Sequence, residues 1–152
     1  MRRDDMSSVV KISDAASLAL HAMVYLAARA AAPSSAGEMA KAFCASKAHL
    51  SKVLQWLARA GLVRSVRGPK GGFVLAQPAG EVTLLRVYEA VEGPLEPARC
   101  LLGSPACNGQ CILGDLLESI DMRVRRRLEA TALSDLAHVF AGRLERRPDG
   151  RR

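Results

Sequence analysis

Aromatic residues are scarce in this chain: one Trp, two Tyr and three Phe make up 4% of it. That argues against a carbohydrate-binding platform and against RNA recognition on a broad stacking sheet. Long apolar runs are missing too, since none reaches the ~18 residues that a bilayer-spanning helix needs. Behind Met1-Arg2-Arg3-Asp4-Asp5, the stretch Met6-Ser7-Ser8-Val9-Val10 is too short and too polar for the apolar centre of a secretory signal. A cytoplasmic protein with no membrane partner is expected. Catalytic patterns are lacking as well. His21, His49 and His138 fall on three separate predicted helices, and there is no HExxH, no Walker phosphate loop and no recognisable nucleophile–base spacing. No enzyme is expected. His21 follows the apolar face of its helix and reads as a core residue.

What is present suits one helical domain with an appended element. The 152 residues are 49% hydrophobic and 24% charged, enough for a core without disulfide staples. Ala and Leu runs favour helix over strand. Net charge is +7, from 22 Lys and Arg against 15 Asp and Glu. Its distribution says more than its size. Between Ser35 and Ala76 stand Lys41, Lys47, Lys52, Arg59, Arg64, Arg67 and Lys70 against Glu38 alone, a net +6. A basic stripe confined to one segment is the electrostatic signature of a polyanion-binding surface. A solvated surface that happens to be basic is the plain alternative.

Periodicity organises the chain. Residues 1–10 read as a flexible leader. Ile12, Ala15, Ala16, Ala19, Leu20, Met23, Val24 and Leu26 then recur at helical spacing, with Ser13 or Asp14 as the cap. Pro33 breaks that pattern, and Ser34 or Ser35 can start a short helix over about 36–42. Ser46 can cap a longer helix to about Ala60, with Leu50, Val53, Leu54 and Leu57 on its apolar side and Lys47, His49, Lys52 and Gln55 opposite. Gly61 ends it as a left-handed residue. Two short strands, 62–67 and 73–76, flank the turn Gly68-Pro69-Lys70-Gly71-Gly72. A helix closed by Gly93-Pro94 completes a predicted DNA-binding domain over 11–93, and a loop over 94–111 holds three cysteines. From Ile112 to Ala130 the stripe Leu113, Leu116, Leu117, Ile120, Val124 and Leu128 predicts a long helix that packs on its counterpart in a homodimer, alongside the first helix. The plain reading is that this stripe covers the chain's own core. Ser134 can cap a last helix to about Leu144, so 112–145 reads as dimerisation helix plus C-terminal helix and 146–152 as a disordered tail.

Short helix, tight turn, longer helix and two-stranded hairpin is the order of a winged helix-turn-helix. The expected fold is therefore mainly α, with a two-stranded wing and a long C-terminal dimerisation helix. A helix fits the major groove, where Ser46, Lys47, His49, Lys52 and Gln55 can reach base edges or phosphates of double-stranded DNA. Glycine keeps the hairpin tip slim, so Arg64, Arg67 and Lys70 can enter the minor groove or neutralise phosphates. The same glycines lie between strands rather than at a helix N-terminus, which argues against a nucleotide cradle.

These residues resemble a known family. Asp14-Ala15-Ala16-Ser17-Leu18-Ala19-Leu20-His21-Ala22-Met23-Val24-Tyr25-Leu26-Ala27 is similar to the first helix of the IscR/NsrR/CymR family of bacterial winged-helix regulators (Rrf-type). Glu38-Met39-Ala40 and the stretch from Ser46 to Leu57 continue the likeness, and Ala60 through Ala76 is its most specific part. The resemblance covers roughly residues 10–142. It implies a homodimeric transcription factor on a palindromic promoter site, with helix 46–59 in the major groove and hairpin 62–76 as the wing. Cys44 stands where the family often has Gly, and a Cys tolerates a left-handed backbone less well.

The cysteines are Cys44, Cys100, Cys107 and Cys111, the last three spaced C-x6-C-x3-C. A cytosolic protein does not keep these as structural disulfides. Thiolates favour iron–sulfur clusters or zinc, and Cys107-x3-Cys111 fits a zinc spacing. By spacing alone, a metal or cluster, a thiol redox switch and inert reduced thiols all stay open. The resemblance favours an iron–sulfur cluster, 2Fe-2S or 4Fe-4S, over zinc, because cluster-binding members carry three cysteines just before the long helix. Their usual spacing is five and five, whereas here it is six and three. In the nitric-oxide-sensing branch an acid of the other subunit's first helix supplies the fourth ligand, and Asp14 matches that position; its plain reading is a helix cap. Cofactor-free members, which sense through thiols or a partner protein, are the alternative. Cys44 reads as a small buried hydrophobe.

Overall fold

The computed structural model describes residues 12–96, 108 and 110–144. The leader 1–10, Cys100, Cys107 and the tail 146–152 lie outside them. Helix α1 (Asp14–Ala28) starts where the Ser13 hydroxyl accepts the Ala16 N–H at 3.1 Å. Of the two predicted caps it is therefore Ser13 that caps. Asp14 becomes the first helical residue, its charge set against the positive helix end. Ala16, Ala19, Ala22, Met23, Val24, Tyr25 and Leu26 are buried. The small side chains let α1 serve as the axis against which most of the later helices pack. His21 is exposed rather than in the core. Its Nδ1 donates to the Ser17 carbonyl at 2.7 Å, and its ring lies edge-on to Phe43 and Phe140. The polar ring thus rides on the rim of an aromatic cluster instead of entering it.

After α1 the chain turns through Ala30 and Ala31 and opens α2 (Ala36–Phe43) with a reciprocal cap. The Ser35 hydroxyl accepts the Glu38 N–H at 3.1 Å, and the Glu38 carboxylate accepts the Ser35 N–H at 2.7 Å. Such a box stabilises a helix start by about 1 kcal/mol. Cys44 follows at φ 53°, ψ 40°, a left-handed residue that is exposed, not buried. Two bonds, Cys44 N–H to the Lys41 carbonyl at 3.3 Å and Ala45 N–H to the Ala40 carbonyl at 2.9 Å, close a helix end of the type usually completed by Gly. The turn therefore keeps its geometry despite the Cβ, and that geometry turns the thiol outward.

Helix α3 (Lys47–Arg59) begins at Ser46, whose hydroxyl accepts the His49 N–H at 3.3 Å. Leu50, Val53, Leu54 and Leu57 are fully buried, each contributing about 1.5–3 kcal/mol. Gly61, at φ 69°, ends it as expected. Strands β1 (Val63–Val66) and β2 (Gly72–Leu75) pair antiparallel, Val63 opposite Leu75 and Val66 opposite Gly72. A feature the sequence did not announce is a third line of pairing. The Ser34 N–H donates to the Phe73 carbonyl at 3.1 Å, and the Phe73 N–H returns a bond to the Ser34 carbonyl at 2.8 Å. A Cβ on Gly72 would lie 2.5 Å from the Ser34 carbonyl carbon and oxygen, so only Gly permits this approach.

Helix α4 (Leu84–Glu92) is capped by Thr83 and ends at Gly93. Helix α5 spans Leu116–Ala130. It starts later than Ile112 because residues 112–115 form turns. The chain returns from α5 to the foot of α4 through Leu84 N–H to the Thr131 carbonyl (3.0 Å) and Leu133 N–H to the Val82 carbonyl (2.9 Å). The last helix is in fact two, α6 (Leu133–Leu136) and α7 (His138–Leu144). Ser134 lies inside α6; the start is tied instead by the Asp135 carboxylate accepting the Ala132 N–H at 3.0 Å. The fold is a mainly α winged helix-turn-helix with a two-stranded wing. No helix among the described residues is long and apolar enough to cross a membrane.

Candidate nucleic-acid interface and cysteine loop

The buried side of α3 leaves its other side open. Ser46, Lys47, Lys52 and Gln55 are exposed there, whereas His49 sits half-buried at the edge of the apolar face. On the hairpin, strand alternation buries Val63 and turns Arg64 outward, and Arg67 and Lys70 stand exposed around the glycine turn. Among the described residues none of these cations is paired with an acid, so their charge is uncompensated. The Lys52 ammonium lies over the Trp56 ring, 5.3 Å from its centroid. Sequence reasoning missed Trp56; the i, i+4 spacing to Lys52 was the available signal.

The second half of the molecule gathers around the ends of the cysteine loop. The Ser13 hydroxyl donates to the Glu92 carboxylate, joining the start of α1 to the end of α4. Asp14, exposed and one residue on, thereby stands close to where the chain leaves α4 for that loop. Arg125 of α5 donates to the Leu95 carbonyl at 2.9 Å and pairs with Glu89 at 3.5 Å. Glu89 also accepts the Leu95 N–H at 3.2 Å. The mouth of the loop is so fastened to both α4 and α5. Nearby, the Tyr88 phenol is held above its ordinary pKa of 10.0 by burial, then by the negative charges of Glu92 and Asp121. Cys111 is partly buried, while Cys100 and Cys107 fall outside the described residues. Among those residues no group of three His, Cys, Asp or Glu could hold a metal.

The predicted stripe of α5 divides. Leu117 is buried, and so is Asp121, which is not part of the stripe. Ile120, Val124 and Leu128 are half-buried. Leu116 (49% exposed) and Met122 (40%) stay open, with Ile112 (85%) just ahead of the helix. One side of α5 covers the chain's own α4, and another is left uncovered.

A helix-turn-helix whose second helix is polar on its open side, followed by a basic hairpin, defines a DNA-binding transcriptional regulator of the winged-helix class. The Rrf2 family, described as an iron-dependent transcriptional regulator, matches residues 12–139, and this chain belongs to it. The chain is 32% identical to the regulator IscR of Photorhabdus laumondii over 117 residues, 70% of this chain and 71% of that protein. It resembles CymR, the global cysteine regulator of B. subtilis, at a TM-score of 0.73 with 30% identity, covering 86% of this chain and 98% of that one. The oxidized form of Staphylococcus aureus CymR gives 0.68 and 30%, covering 84% and 96%. With several curated relatives the match spans only 59–63% of their length. The family and these relatives are transcriptional regulators, not enzymes.

Proposed function

We propose that the protein is a homodimeric, sequence-specific regulator that grips a palindromic promoter site. Helix α3 lies in the major groove through Ser46, Lys47, His49, Lys52 and Gln55, and the wing grips the backbone or minor groove through Arg64, Arg67 and Lys70. Residues 11–93 form the DNA-binding domain, 94–111 the sensing loop and 112–145 the part that joins two copies. The observation that carries this reading is the set of exposed, uncompensated cations on α3 and its hairpin. The open side of α5, with Leu116 and Met122, supports pairing with the same helix of a second copy. Footprinting on a duplex selected by the protein from a randomised library tests it. Expected are two protected half-sites about one duplex turn apart, roughly 34 Å, lost when Lys47, Lys52, Arg64 and Arg67 are neutralised together. A footprint that survives this change refutes the reading.

The loop is proposed as the sensor. Three thiolates, Cys100, Cys107 and Cys111, are the donor set an iron–sulfur cluster takes, with Asp14 as a further oxygen ligand. Ser13 carries the capping duty of α1, which supports a role for Asp14 other than capping. When bound, a cluster would supply redox and nitric-oxide reactivity. The chain's own part is mechanical. Arg125 and Glu89 hold the loop's first residues against α4 and α5, so a change in the loop alters the spacing of two recognition helices across the dimer. Iron and sulfide analysis with a visible spectrum on anaerobically purified protein tests the cluster. Stoichiometric iron and sulfide in the Cys100, Cys107 and Cys111 triple Ser variant would refute the assignment. A second reading, a cofactor-free regulator switched by thiol oxidation or a partner protein, is favoured by the CymR likeness and by the six-and-three spacing. A colourless, iron-free protein that still binds its duplex supports that reading.

A further inference from the structure

Lys52 is a long, flexible cation on the open side of α3, yet it does not wander freely. Its ammonium stands over the Trp56 ring at 5.3 Å from the centroid, within the range of a cation–π contact. Trp56 is the only tryptophan of the chain. It is half-buried at the boundary between the apolar and open sides of α3. Its other neighbours are not on the DNA-facing side. Trp56, Arg59 and Ala60 of the α3 end face Ala90 and Val91 of α4 across a shallow cleft. One indole thus lies beneath the recognition helix's cation and beside the cleft that faces α4, the helix leading into the cysteine loop.

We infer that Trp56 is a positioning residue for DNA binding, holding Lys52 in the orientation from which it meets the duplex. The inference rests on the interface proposed above and adds to it a residue that need not touch DNA. A solvent-exposed Lys samples many rotamers, and fixing it before binding lowers the ordering cost on association. A cation–π contact at an exposed site corresponds to about a two- to five-fold effect on an equilibrium.

The test is a double-mutant cycle in the full chain, read as the dissociation constant for a library-selected duplex at fixed salt. Lys52→Ala, Trp56→Leu, the double variant and Trp56→Phe are compared. Trp56→Leu is expected to weaken binding about two- to five-fold per half-site in the parent. In the Lys52→Ala background it should cost nothing further. Trp56→Phe, which keeps a ring, should retain most of the affinity. The single tryptophan supplies an independent readout: adding duplex should change its emission in the parent but not in Lys52→Ala. An equal loss from Trp56→Leu in both backgrounds would mean that the indole serves only the fold, and would overturn the inference while leaving the interface intact. If Lys52→Ala alone leaves affinity unchanged, the interface reading fails first, and this one with it.

Discussion

Replacing Arg64 and Arg67 together by Gln probes the proposed grip through its dependence on salt. Both side chains are exposed, so their loss leaves the core untouched. Each chain presents Lys47, Lys52, Arg64, Arg67 and Lys70 on the candidate surface. A dimer doubles that set. If every cation neutralises one phosphate, the logarithm of the binding constant falls against the logarithm of salt with a slope of about −9. The double variant removes four charges per dimer, which flattens the slope by about 3.6, to roughly −5. Fluorescence anisotropy of a labelled duplex, titrated at several KCl concentrations, gives both slopes. A urea midpoint equal to that of the parent confirms that the fold is unaffected. A slope that stays the same in the variant would show that the wing does not meet phosphate, and would refute the assignment of the hairpin.

Three further outcomes follow from the geometry. Gly72→Ala drives a Cβ into the Ser34 backbone and should destabilise the protein by about 1–3 kcal/mol in urea unfolding, with duplex affinity falling as the wing is displaced. Cys44→Gly relieves a left-handed Cys and should raise stability by up to about 1 kcal/mol, whereas a drop would show that the thiol makes a stabilising contact. Tyr88 has its pKa raised in the folded state, so the unfolded chain releases that proton first. Stability from this group is therefore whole below pH 10.0 and is lost as pH climbs through the higher folded value. Tyr88→Phe should flatten the alkaline decline in urea midpoint, and an unchanged decline would remove Tyr88 as its source.

Local chemistry explains what could be read in advance. The Ser46 cap, the buried positions Leu50, Val53, Leu54 and Leu57, the left-handed Gly61 and the glycine turn of the hairpin each depend on residues within one or two turns of themselves. What escaped depends on distant partners. Nothing near Ser34 in sequence announces that it pairs with Phe73. Asp121 is buried because α5 lies on α4 beside Tyr88, which no periodicity of α5 reveals. His21 was misread because its position fits an apolar stripe, while the space there is filled by Phe43 and Phe140. Cys44 was misread because burial is the commoner fate of a thiol, and a helix-ending turn overrode it. For the site, the cations were legible from charge alone, but the support that Trp56 gives Lys52 required the side-chain geometry.

The third line of pairing at Ser34 has a thermodynamic consequence. With β2 paired to β1 along one edge and Phe73 bonded along the other to Ser34, just ahead of the α2 cap, β2 is held from both sides. Only the stretch from Arg67 to Gly71 is left outside this weave. Association with a duplex therefore needs to immobilise a handful of residues at the tip. The heat-capacity change of complex formation should accordingly reflect surface occlusion alone, with no added contribution from a segment folding as it binds.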